Sequence, residues 1–213
     1  MTSATPSYVL ATASTVGHDG GMPGDEGGVA GLAAGMLLVA TPVLLDPNFA
    51  DTVVLLLDVD EEGALGVVLN RPSPVSVAEV LGQWSAAVAE PHVLFHGGPV
   101  GTDAALAVAL LRDPADVPVG FRAVRGSLGL LDLDTPTELL AGSLAGLRIF
   151  AGYAGWSPGQ LEVEVDEGSW YVVPAEALDA FRGDTAALWR DVLRRQPGEL
   201  AWHSTRPVDP ELN

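Results

Sequence analysis

Ala40–Pro72 reads ATPVLLDPNFADTVVLLLDVDEEGALGVVLNRP and holds the densest apolar material in the chain. Two strand-like runs, Thr52 to Asp58 and Ala64 to Asn70, flank Asp60-Glu61-Glu62-Gly63, a hairpin-loop signal with glycine where φ can turn positive. Val53 to Leu57 shows no polar alternation, which predicts a strand covered on both faces. Periodicity alone also fits a short buried helix, and β-branching beside a turn decides for strand. The hairpin is the expected spine of the core.

Upstream, residues 1–34 are rich in Gly, Ser and Ala and predict a flexible tail that buries too little surface to offset its ordering entropy. Residues 35–213 are expected to form one domain, with a C-terminal extension after about 197. Within it, Met36 to Thr41 reads as a strand, and Asp46, Pro47 and Asn48 as turn formers. Ser76 and Glu79 make a capping box ahead of a helix carrying Val77, Val80, Leu81 and Trp84 on one stripe. Strands are expected at Val93–Phe95, Ala104–Leu111, Leu147–Phe150 and Trp170–Val173, with a weaker, glycine-broken one over Phe121–Leu133.

Helices are expected from Thr135, after Ser157-Pro158-Gly159-Gln160, from Pro174 to Phe181, and after Asp184, where Leu188, Trp189, Val192 and Leu193 share a face. Leu161, Val163 and Val165 also alternate like a strand; the capping pattern favours helix. Strands mixed with helices in no repeated unit predict an α+β domain with a mixed sheet.

Twenty-eight acidic residues face 10 basic ones, a formal charge of −18, and every basic residue is Arg. That charge argues against direct DNA binding, because phosphate contacts need a basic face. With no Cys, disulfides, thiolate nucleophiles and cysteine metal sites are excluded. The uncharged run Gly27–Leu45 is broken by glycines and Pro42, so no membrane association is expected. The N-terminus lacks a basic region and an apolar run, which predicts a cytoplasmic protein.

Familiar catalytic motifs are missing: no G-x-S-x-G elbow, no phosphate-loop Lys, no dinucleotide fingerprint. Asp58, Asp60, Glu62 and Gly63 begin like a calcium loop, but its twelfth place is Leu69, where a bidentate Glu is required. His92 and His96, four apart on an extended segment, would stand roughly 13 Å apart at about 3.3 Å per residue, too far to share a metal. Neither a metal nor another cofactor is implied, and no catalytic residue is assigned.

What remains is a set of glycine-rich strand ends with polar groups: Asn70 and Arg71; His96 with Gly97 and Gly98; and Tyr153, Gly155 and Trp156 with Gln160. Glycines let a ligand or a neighbouring backbone approach, and an Arg fork can take a carboxylate or phosphate. The structural alternative pairs Arg71 with a carboxylate and sends Tyr153 and Trp156 into the core. Arg190, Arg194 and Arg195 read as a solvated face of the last helix.

The blocks LLVATPVLLDPNFADTVVLLL, GALGVVLNRP, GGPV and FAGYAGWSPGQLEVEVDEGSWYVVP, in this order, resemble the YqgE/AlgH family of bacterial proteins over roughly Gly35 to Leu193. The family pattern is matched at Pro42, Asp46, Asn48, Phe49, Gly66, Asn70, Arg71, Pro72, Gly97, Gly98, Pro99, Gly152, Tyr153, Gly155, Trp156, Gly159, Gln160, Leu161 and Trp170; His96 lies outside it.

The resemblance implies a branched sheet wrapped into a pseudo-barrel, a helix over Leu161–Glu167, and a label of transcriptional regulator with no established reaction. The expected function is regulation through a small ligand or protein partner, with ligand binding at Asn70, Arg71, Gly97, Gly98, Tyr153, Gly155, Trp156 and Gln160. An enzyme with an anion pocket at Asn70 and Arg71, using His96 or Tyr153, and a purely structural or interaction protein are the alternatives.

Overall fold

A computed structural model describes residues 31–204, so the expected N-terminal tail lies almost wholly outside the described residues. Ten strands build the fold: β1 (Met36–Ala40), β2 (Val53–Asp60), β3 (Gly63–Val68), β4 (Pro72–Ser76), β5 (Val93–His96), β6 (Val100–Leu111), β7 (Phe121–Arg125), β8 (Leu128–Leu131), β9 (Leu144–Trp156) and β10 (Trp170–Pro174). Four short helices accompany them: α1 (Val77–Val80), α2 (Gln160–Asp166), α3 (Leu188–Arg194) and α4 (Leu200–His203). The domain is mostly β.

The main strand path is β10-β1-β2-β3-β9-β6-β8-β7, and every neighbouring pair along it is antiparallel. The β2–β3 hairpin sits where the sequence puts it, with Asp60 paired to Gly63. Val53 to Leu57 is covered on both faces, as its unbroken apolar run requires. Val53, Leu55 and Leu57 pack with Leu188, Trp189, Val192 and Leu193 of the α3 segment, whereas Val54 and Leu56 pack with Leu161, Trp156 and Trp170. A third cluster joins Ala107, Ala109, Leu147 and Ile149 to Trp84, Leu133 and Leu140.

The sheet branches at β9. Its 13 residues pair with β6 along one edge; on the other they pair with β5 in parallel through Phe150 and Ala151, then with β3 through Ala154 to Trp156. β3 and β5 therefore leave the same edge in a fork, and the β5 branch carries β4 as well. At the far end of the path β7 curls back to the start of the sheet. Arg122 reaches Asp58 of β2 at 3.4 Å, and Arg125 lies over Gly35 at the entry to β1.

Several elements are shorter than the sequence predicts. Ser76 does cap α1 by accepting the Ala78 N–H at 3.2 Å, but the α-helix spans four residues before a 3₁₀ turn at Gly82–Trp84. The helices expected from Thr135 and Pro174 shrink to 3₁₀ turns at Thr137–Leu140 and Asp179–Phe181, neither with a side-chain cap. The expected helix after Ser157 forms as α2, with the Gln160 side chain accepting the Ser157 N–H. The strand expected over Leu147–Phe150 is longer: β9 continues through the GYAGW run and ends at Trp156.

Candidate functional site

The fork is where the polar motifs converge, and glycine makes it possible. Gly97 donates its N–H to Ala151 and accepts from Val68, so one residue bridges both prongs. A Cβ on Gly97 would stand 2.2 Å from the Gly152 carbonyl oxygen, and one on Gly98 2.2 Å from the Tyr153 carbonyl carbon. The glycines of the two motifs thus serve a backbone crossing too close for side chains. Opposite, the β6–β9 register breaks between Val100 and Ala105, and this bulge carries Thr102 to the mouth of the fork.

Asn70 and Arg71 end the β3 arm and hold the loop that leads into β2. The Asn70 amide accepts the Val53 N–H at 3.0 Å and donates to the Asp51 carbonyl at 2.9 Å. Arg71 donates to the carbonyls of Pro47 at 2.8 Å and Ala50 at 3.1 Å. Its partners are therefore neutral main-chain oxygens, which corrects the expected pairing with a carboxylate. Asp51, held between them, has a positive φ of 58°, a conformation aspartate tolerates better than most side chains.

A cleft of about 240 Å³ opens beside this staple, lined by Asn48, Val68, Arg71, His96, Gly98, Pro99 and Thr102. Two of the five guanidinium N–H donors are used within the described residues, and no carboxylate lies within 4.0 Å of them. The side chains of Asn48, His96 and Thr102 make no hydrogen bond within the described residues. A fixed cation with spare donors, ringed by a hydroxyl, an amide and an imidazole, can take a small carboxylate or phosphate. No group of three or more metal-ligating side chains occurs among the described residues.

The predicted site residues divide between this fork and a second cluster. Arg71 and Gly98 line the cleft, Gly97 forms its backbone, and Asn70 positions the loop at its edge. Tyr153 is partly buried against the core beneath Gly101 and Gly155. Trp156 and Gln160 belong elsewhere: Trp156 Nε1 and Gln160 Nε2 both donate to Glu164, at 2.9 Å each. Trp170 Nε1 adds a third bond at 2.8 Å, and Phe49 packs on both indoles with centroids 5.6 and 6.0 Å away. Asn48, Pro99 and Thr102 were not among the predicted ligand residues. Thr102 needed the bulge to be seen, whereas Asn48 and Pro99 lay within the matched blocks.

Several other arginines among the described residues are engaged around the fold. Arg195 pairs bidentately with Asp179, whose side chain is 4% exposed, so this part of the expected solvated face is an inward anchor. The Asp179 hydrogen bonds raise the Arg195 pKa above its usual value. Asp191 is held below the usual carboxylate range, chiefly by its hydrogen bond from Arg182. Arg148, 1% exposed, has no carboxylate partner among the described residues; it donates to the Glu90 and Arg182 carbonyls and lies 4.1 Å from the Phe95 ring centroid. Desolvation pulls its pKa down to about 10.

An antiparallel sheet curled into a half-barrel, forked at one long strand and crossed by glycine backbone, defines the class of protein. A family model described as AlgH-like (DUF179) matches residues 37–201. The chain is 58% identical over 182 residues to a UPF0301 protein of Streptomyces avermitilis, covering 84% of this chain and 94% of that one. It is 47% identical over 183 residues to a UPF0301 protein of Mycobacterium tuberculosis, covering 84% and 90%.

A crystal structure of a Corynebacterium diphtheriae protein superposes with a TM-score of 0.78 at 34% identity, over 87% of this chain and 95% of that one. The solution structure of AlgH from Pseudomonas aeruginosa superposes at 0.62 and 27% identity, over 87% and 99%. The chain belongs to the AlgH-like family. No helix of the described residues is long and apolar enough to cross a membrane.

Proposed function

We propose that this protein is a regulatory binding module that senses a small anion, a carboxylate or phosphate compound, in the fork cleft. The observation that carries the reading is Arg71: its guanidinium is oriented by two carbonyls, faces no carboxylate, and opens on a cleft with three unspent polar side chains. Preorganisation of this kind lowers the ordering cost of binding. Direct DNA binding has no comparable support, since Arg122, Arg182, Arg194 and Arg195 are spent on carboxylates and the net charge is −18.

Thermal shift and calorimetry with inorganic phosphate and with malonate test this reading. Wild type is expected to gain stability with either anion, and Arg71→Ala to stay folded and lose the response. Arg71→Ala that fails to fold would mark the guanidinium as a structural staple; Thr102→Ala, at an exposed position, then carries the test. A gel shift at nanomolar protein that survives physiological salt would overturn the argument against DNA.

One observation favours an enzyme as the second reading. His96 shares the cleft with Arg71, so an imidazole stands beside the cation that would hold an anionic substrate. Turnover of small phosphate esters or acyl carboxylates that disappears in His96→Gln, with Arg71 intact, would establish it.

A further inference from the structure

The loop that orients Arg71 is gripped from two sides. On the fork side, the Pro47 and Ala50 carbonyls accept from the guanidinium, and Asn48 lines the cleft. Away from the cleft, the Phe49 ring stacks on Trp156 with an interplanar angle of 28° and meets Trp170 edge-on at 75°. The turn's own bonds, from the Phe49 and Ala50 N–H groups to the Asp46 carbonyl at 2.9 and 2.7 Å, shape it without tying it to the sheet. Phe49 is therefore the loop's side-chain anchor opposite Arg71.

One carboxylate sets the seat of that ring. Trp156 ends β9 and Trp170 opens β10, strands that are not neighbours in the sheet. Both indoles are buried, at 6% and 3% exposure, yet their N–H groups converge on one oxygen, Glu164 Oε2. The other oxygen accepts from Gln160, whose own amide oxygen accepts the Ser157 N–H at the start of α2. No arginine pairs with Glu164 among the described residues, so three neutral donors satisfy it. The arrangement needs an acceptor at both oxygens. Glutamate supplies two, whereas a glutamine would set a second amide N–H₂ against that of Gln160 or against the indoles.

We infer that Glu164 is a positioning residue for the fork: through the two indoles it fixes the Phe49 ring, and through Phe49 the carbonyls that aim Arg71. The inference rests on the anion-binding reading of the cleft. It gives the Trp156 and Gln160 motif, which does not reach the cleft, a part in the site. The device is static, because the loop is held before an anion arrives and its ordering is not drawn from binding. Phosphate therefore moves nothing around Glu164.

Phosphate titrations of the full chain by calorimetry, with amide hydrogen exchange on the same samples, are the test for Glu164→Gln and Phe49→Leu. Each should weaken phosphate by about fivefold or more and quicken exchange at Asn48, Phe49 and Ala50, with the β6 amides unchanged. The double variant should lose no more than the weaker single, since both break one chain of contacts. Asp191→Asn, on α3, should lower stability and keep wild-type phosphate affinity, which separates positioning from general destabilisation. Wild-type affinity in Glu164→Gln, lost affinity without quickened exchange in the loop, or additive losses in the double variant would each overturn the inference. Should Glu164→Gln unfold the chain, Phe49→Leu decides. If wild type binds no phosphate, the anion reading itself falls, and loop exchange in Glu164→Gln still decides whether Glu164 holds the loop.

Discussion

Arg71 and Arg148 are the same side chain held in the same way, each by two main-chain carbonyls and neither by a carboxylate. They differ in what lies on the other side. Arg148 is sealed under the Phe95 ring, and its Nε is buried with no partner, so all it does is tie the Glu90 and Arg182 segments to β9. Arg71 keeps part of its fork open to a cleft. Carbonyl ligation without a counter-charge leaves an arginine electrostatically unspent, and access to solvent decides whether a ligand can use it.

The largest effect that would sharpen this contrast comes from Arg148→Ala. Two buried carbonyls lose their donor and a cavity opens against Phe95, which should cost about 3–5 kcal/mol in urea unfolding. A loss below about 1 kcal/mol would mean that the buried cation is nearly balanced by its desolvation penalty. Arg71→Ala should cost less, about 1–3 kcal/mol, since its loop is partly solvated. Hydrogen exchange should quicken for amides in the 46–51 loop and not at Glu90. Equal costs at the two positions would break the comparison.

A smaller effect concerns pH. Because the Arg182 hydrogen bond lowers the folded pKa of Asp191 from the ordinary 3.8, its contribution is fully present above that value and is lost as pH falls through the lowered one. Asp191→Asn should therefore reduce stability at neutral pH and narrow the gap to wild type on acidification. A gap that widens in acid would contradict the assignment. The smallest effect is expected for Thr102→Ala, within about 0.5 kcal/mol on stability because the residue is exposed, yet with weakened anion binding.

Much of the fold was legible because the hairpin and the α3 face declare themselves locally: an unbroken apolar run, an acidic turn with Gly63, and four apolar residues at helical spacing. Thr135 and Pro174 misled because start signals promote nucleation but cannot sustain a helix. The chain enters β9 at Leu144, and Asp179 turns in to meet Arg195. The strand was expected to stop at Phe150 because glycine usually breaks strands, whereas in GYAGW it lets two backbones cross while β9 runs on to Trp156.

Of the candidate site, Arg71 and Gly98 could be read from residue type. The assignment of Trp156 and Gln160 to Glu164 instead of the cleft is a tertiary fact, invisible until α2 is packed against β9 and β10. The bulge that brings Thr102 to Arg71 is equally a matter of long-range register.

The most direct test of the central claim is a titration of the isotopically labelled protein with inorganic phosphate, followed by amide and Arg side-chain chemical shifts. The account predicts saturable shifts at Arg71, His96, Gly97, Gly98 and Thr102, and none at Arg148 or around Glu164. Absent shifts at the fork, or shifts confined to another surface, would contradict it.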